Sequence, residues 1–289
     1  MRLRRITFGA IALTALIGGL SSCSSSKSPV ALTVKAAGNN GTYSFDMPKQ
    51  IDGGVVALTL DNTDSQPHEL GMVRVKPGTT QEAVESQLLE SSDGAPIPDF
   101  LVSSGGIGHA DAKQKVTATQ QLDPGTYVYF CTFGDGDAVH YKHGMLGTVT
   151  VSGNKGKGSL PASVESITTK ETSPSSYGFD ISTLKAGTNK LLFKNAGPNQ
   201  DHHAQIFPIS QGKTFADVQA YFSSQSNSDA PPPVDFQNGQ GTTVLTPGQQ
   251  QVVDVTLSKG DYVVLCFLND KAGGPPHFTK GMLQEVKVS

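Results

Sequence analysis

The chain has 289 residues, 36% of them hydrophobic, with 22 Lys+Arg against 25 Asp+Glu. That composition suits folded globular structure, and the length allows more than one domain. A net charge of −3 excludes a basic surface built for nucleic acid or for an anionic membrane.

The first predicted element is a leader. Arg2, Arg4 and Arg5 make a basic start, and Ile6 to Leu20 form an apolar run too short to read as a membrane span. Residues 1–22 therefore read as a signal peptide. Leu20-Ser21-Ser22-Cys23 is similar to the lipobox of bacterial lipoproteins. That resemblance implies cleavage before Cys23, lipid on its sulfur, and a mature protein held on the extracytoplasmic face of the bacterial cell membrane. Residues 23–30, rich in serine, then form a polar tether. Loss of the leader's three arginines leaves 19 Lys+Arg against 25 Asp+Glu, a net charge near −6. The lipid is the expected route to the membrane, and nucleic acid is not an expected partner.

The tether leads into a first domain, 31–152. ALTVKA (31–36), TYSFDM (42–47) and VVALTL (55–60) have the alternation or β-branched content of strands, as do KVTATQQL (115–122), TYVYFC (126–131) and LGTVTV (146–151). One helix interrupts them. Thr79 or Thr80 can cap a segment in which Val84 and Leu88 share a face. The Pro-, Gly- and Ser-containing stretch 91–108 reads as loop. Residues 153–162, beginning GNKGKGSLP, read as a linker.

A second domain, 163–289, repeats the first at an offset of about 134 residues. Tyr43-Ser44-Phe45-Asp46 matches Tyr177-Gly178-Phe179-Asp180, HELGMVRV (68–75) matches HHAQIFPI (202–209), and PGTYVYFC (124–131) matches KGDYVVLC (259–266). Thr214 precedes Phe215, Val218 and Phe222 at helical spacing, and 223–241 again reads as loop. The fold expected is all-β: two tandem Greek-key β-sandwiches, each with one inserted helix.

Each copy carries His, Cys, His and Met in the same order: His68, Cys131, His140 and Met145, then His202, Cys266, His277 and Met282. Two imidazoles, a thiolate and a thioether are the donor set of a type 1 copper site, so copper is the expected cofactor, up to two ions per chain. Alone, each residue has a plainer role as a core or surface side chain; the ordered set, repeated, is what points to metal. Cys131 and Cys266 could also pair as a disulfide, but equivalent buried points of two repeats meet only near a shared axis. A metal role for each is more economical.

The spacing C-x8-H-x4-M, with Gly144 before Met145, resembles the type 1 site of copper nitrite reductases, and YVYFCTF (127–133) resembles the azurin strand that enters the copper loop. Both belong to the cupredoxin superfamily. The resemblance implies sandwiches with copper at one end and an electron-transfer role toward a redox partner protein that the sequence does not name. Two departures stand out. The second loop is C-x10-H-x4-M, and Glu69 and His203 follow the first histidines where many cupredoxins carry Asn. Doubling a flexible loop adds only about 0.6 kcal/mol of closure entropy, so His277 should still be delivered.

Two ligands have rivals. His140 is preferred to His143 because H-x4-M recurs at His277, while His143 aligns with Lys280. His202 is preferred to His203 because it aligns with His68 and keeps Leu70 and Ala204 on one strand face. His109 has no counterpart and reads as a loop residue. Multicopper enzymes of this superfamily place a further His ligand beside the Cys; here Phe130 and Leu265 stand there. An electron carrier is thus expected rather than an enzyme. A cupredoxin-fold binding or structural module, with one or both sites degenerate, is the alternative.

Overall fold

The computed structural model describes residues 28–39, 41–90, 96–134, 136–223 and 231–289. The leader, Cys23 and most of the tether lie outside the described residues. The first half contains β1 (Val30–Asn39), β2 (Thr42–Asp46), β3 (Gln50–Asn62), β4 (His68–Val75), α1 (Gln81–Glu90), β5 (Leu101–Ala110), β6 (Lys115–Leu122), β7 (Gly125–Phe130) and β8 (Leu146–Gly156). The second contains β9 (Glu165–Ser173), β10 (Ser176–Ile181), β11 (Gly187–Lys194), β12 (Gln205–Pro208), α2 (Phe215–Ser223), β13 (Gln240–Gly241), β14 (Gln250–Leu257), β15 (Gly260–Leu265) and β16 (Leu283–Val288).

The halves share one pairing scheme. In the first, β2-β1-β3-β6 make one layer and β5-β4-β7-β8 the other. In the second, β10-β9-β11-β14 and β13-β12-β15-β16 repeat that order. In each half three pairs of consecutive strands lie side by side while most other connections cross between layers, and the fold is two tandem β-sandwiches with one helix inserted in each. Period-two patterning drives the layers together: Val56, Leu58 and Leu60 of β3 are fully buried, as are Leu191 and Phe193 of β11. Each such side chain contributes roughly 1.5–3 kcal/mol by leaving water.

Two stretches depart from the loop reading. Residues 101–108 belong to β5, paired along β4 from His68↔Ala110 to Val75↔Leu101, and Gln240–Gly241 form β13 against β12. Glycines hid the first strand. They are there because neighbours approach too closely for a side chain: a β-carbon on Gly106, at φ 111°, would lie 1.9 Å from the Leu70 carbonyl oxygen. β8 also continues through Gly156, four residues into the stretch read as linker.

The halves are joined by main chain. β6 and β14 pair antiparallel over Gln251↔Gln120 to Val253↔Ala118. On the opposite layer Thr243 Oγ1 donates to the Gly105 carbonyl at 2.8 Å. A β-carbon on Gly108 would lie 2.1 Å from the Thr242 carbonyl oxygen. We expect Gly108→Ala to force the halves apart locally at a cost of about 1–3 kcal/mol, lowering the melting temperature by several degrees. Unchanged calorimetric melting would contradict this packing.

Candidate metal centre

In each half one end of the sandwich gathers the predicted His, Cys and His, with the main chain of the predicted Met bonded to the last two. His68 opens β4, Cys131 follows β7, His140 opens a 3-10 turn (His140–His143), and Met145 precedes β8. All four are nearly or fully buried, with His140 the most exposed at 4%. Cys131 Sγ lies 3.8 Å from His68 Nδ1 and 3.5 Å from His140 Nδ1, and the two nitrogens are 3.0 Å apart. His202, Cys266 and His277 repeat the triangle with edges of 4.0, 3.6 and 3.1 Å. Among the described residues these are the two His/Cys/Asp/Glu groups able to hold an ion. His140 is chosen over His143, whose Nε2 bonds the Asp137 carbonyl, and His202 over His203.

The loop between Cys and Met is built alike in both halves despite its two lengths. The histidine amide donates to the carbonyl two residues after the cysteine, His140 to Phe133 at 2.8 Å and His277 to Leu268 at 2.7 Å. The extra residues of the second loop fall between those anchors, where Asn269 and Pro276 bridge. The cysteine amide then donates to the methionine carbonyl at 3.1 Å in each half. Gly144 and Gly281 turn the chain into the methionine at φ 111° and 110°. β-Carbons there would lie 2.3 and 2.5 Å from the carbonyl oxygens of Tyr43 and Tyr177. This is why the Gly-Met pair recurs.

The surroundings set proton positions. His68 Nε2 meets Asp64 Oδ2 at 3.0 Å, His202 Nε2 meets Glu171 Oε1 at 3.3 Å, and His277 Nε2 meets Asp270 Oδ1 at 3.1 Å. A carboxylate partner keeps the proton on Nε2 and turns the Nδ1 lone pair inward. Burial, with help from the neighbouring imidazole, lowers His140 and His277 to about 4. Burial alone is the leading cause for His202, also about 4. All three are therefore neutral ligands at pH 7. Burial pushes the Cys131 thiol up, and that of Cys266 up to about 12. An arriving cation must displace those protons.

Three donors on a trigonal ion, with metal–nitrogen bonds near 2.0 Å and metal–sulfur near 2.3 Å, stand roughly 3.5–3.8 Å apart. The sulfur–nitrogen edges already match, and each nitrogen pair needs to open by about half an ångström. The soft thiolate and neutral imidazoles select copper over hard ions. Both clusters fit a type 1 copper site.

The chain matches no protein-family model and no curated protein. It is similar to solved structures of auracyanins. The sodium-dithionite-reduced auracyanin of the photosynthetic bacterium Roseiflexus castenholzii is 24% identical over 44% of this chain and 99% of that one, with a TM-score of 0.30. Auracyanin A, a blue copper protein of the green thermophilic photosynthetic bacterium Chloroflexus aurantiacus, is 19% identical over 43% and 99%, with a TM-score of 0.32. The copper-containing nitrite reductase of Thermus scotoductus is 17% identical over 91% of this chain and 62% of that one, with a TM-score of 0.26.

Tyr43, Tyr177 and Asp270, which surround the two clusters, are not marked as site residues by the sequence. Tyr43 stacks on His140 at 4.0 Å between ring centroids, and Tyr177 meets His277 edge-on at 4.9 Å. Asp270 holds His277 while also accepting from Tyr177 Oη at 3.0 Å and pairing with Lys280. Glu69 and His203, which follow the first histidines, hold the other side of each cluster. Glu69 Oε1 accepts from the amide of Thr132, and His203 Nε2 from that of Phe267, each at 2.9 Å. Each bond ties the first-ligand strand to the residue just after the cysteine.

Proposed function

We propose that this chain is an extracytoplasmic copper protein, held at the bacterial cell membrane by lipid on Cys23, whose two type 1-like sites carry electrons to and from a partner redox protein. The observation that carries this reading is the duplicated, buried triangle of two Nδ1 atoms and one Sγ, with three of the four histidines held by carboxylates. Bound copper supplies a one-electron couple. The protein's own part is to hold the donors rigidly. The Gly-Met turn fixes the last two ligands, and the carboxylates and tyrosines fix the imidazole planes. The buried sandwich end excludes water from the thiolate. A donor set that does not rearrange lowers the cost of gaining or losing an electron.

A carrier is favoured over an enzyme by Phe130 and Leu265, which stand before the cysteines where multicopper enzymes of the resembled superfamily have histidine. Attachment through Cys23 rests on the lipobox. Among the described residues no helix is long and apolar enough to cross a membrane.

The test uses protein made without the leader and Cys23 and loaded with Cu(II). Expected are about two copper ions per chain and the intense blue absorption of thiolate bound to Cu(II). Colourless protein with sub-stoichiometric copper would leave a structural module as the reading. Turnover of nitrite or of a phenolic substrate with O2 would replace the carrier by an enzyme.

A further inference from the structure

The contact between the two halves runs from one copper loop to the other, and His109 stands at its centre. The sequence reads His109 as a loop residue; it lies in β5, is 2% exposed, and is fixed by a 2.7 Å bond from Nε2 to Asp111 Oδ1. On one side its ring meets Phe133 edge-on at 5.1 Å. Phe133 is two residues past Cys131, and its carbonyl anchors the amide of His140. On the other side His109 and Phe207 press on the same glycine of the second half: a β-carbon on Gly239 would lie 3.3 Å from His109 Cε1 and 2.5 Å from Phe207 Cε1. Phe207 in turn meets Phe267 at 6.3 Å. Phe267 directly follows Cys266 and is pinned through its amide to His203. Every step is a packed ring or a main-chain bond, and the pairing of β6 with β14 keeps the halves from sliding apart.

We propose that His109 is a positioning residue that couples the two copper sites, so that loading one strengthens the hold of the other. This rests on the reading that both clusters take copper. An ion at either site must open the Nδ1 pair, which shifts the Cys-to-His loop and with it Phe133 on one side or Phe267 on the other. A shift already made in the ring packed between them need not be made again, so the second ion binds at a lower cost. Coupling between sites is reciprocal: each must strengthen the other by the same factor.

The experiment is competition of Cu(II) with a chelator of known affinity. The intrinsic constants come from Cys131→Ser and Cys266→Ser, each with one working site, and the stepwise constants from the intact chain. The expected result is binding of both ions tighter than the product of the single-site constants by about fivefold or more. His109→Gln, which keeps a polar partner for Asp111 but removes the ring, should bring that factor to one. Gly239→Ala, which wedges Phe207 and His109 apart, should do the same. A factor of one in the intact chain, or an unchanged factor in both variants, overturns the coupling. Absence of copper from both single-site proteins overturns the copper reading instead.

Discussion

Cys131→Ser should remove one copper ion of two and about half of the blue absorption, and Cys266→Ser should remove the other half. The thiolate is the group that the two imidazoles of each site cannot replace. Cys131 and Cys266 are 0% exposed, each within 4.0 Å of two Nδ1 atoms. Serine occupies nearly the same volume, but its hydroxyl is a hard, weakly acidic donor. It gives no soft anion to complete the trigonal plane and no sulfur-to-copper charge transfer to give colour. The fold should survive, because one buried hydroxyl without a full partner costs about 1–3 kcal/mol, a fraction of ordinary domain stability. Metal analysis with a visible spectrum, alongside urea unfolding of the metal-free variants, separates loss of a ligand from loss of structure. A variant that keeps two coppers, or one substitution that bleaches both sites in folded protein, would contradict the assignment of one cysteine to each cluster.

The ligands were legible because metal chemistry restricts residue type and the repeat shows the pattern twice. H-x4-M was enough to choose His140 over His143, since the Gly-Met turn allows one geometry in both halves. The supporting carboxylates were not legible, and the reason is geometric. Asp64 reaches His68 from just ahead of β4, leaning over Gly38, where a β-carbon would lie 2.1 Å from its Oδ2. Glu171 reaches His202 from β9, leaning over Gly197, where a β-carbon would lie 2.0 Å from its Oε1. The carboxylate comes from the segment after β3 in one half and from β9 in the other, with a glycine on the facing segment each time. Aligning the copies column by column therefore cannot pair them. β5 was hidden for a related reason. Its glycines serve close approach to β4 and to the second half, while in a one-dimensional reading they signal a loop. His109 was passed over because it has no repeat partner, yet a residue that joins two unlike neighbours has no reason to recur.

Metal-free protein should lose stability steeply between pH 6.5 and pH 4. In the unfolded chain histidines take up protons below about 6.5. In the folded chain His140, His202 and His277 resist until about 4. A folded value below the unfolded one means that stability is full above 6.5 and falls as acid protonates the unfolded state. The loss is roughly 1.4 kcal/mol per pH unit per group. Three such groups amount to about 6 kcal/mol by pH 5, comparable with the whole stability of many domains. Asp64 and Asp270, held below the usual carboxylate value in spite of burial by their hydrogen bonds, add to the loss at still lower pH. Glu69 and Asp201 act the other way, because burial raises them and the folded chain takes their protons first. Bound copper keeps the Nδ1 atoms free of protons in the folded chain, so the histidine contribution remains, and copper adds an acid sensitivity of its own. Each displaced thiol proton weakens the site about tenfold per pH unit as acid returns it. The urea midpoint of metal-free protein should therefore drop by roughly 1–2 M between pH 7 and pH 5, and copper-loaded protein should start from a higher midpoint and fall at least as steeply. A flat midpoint in metal-free protein would mean that the imidazoles are not buried as the structure places them, and that the pockets are open to water before any ion arrives.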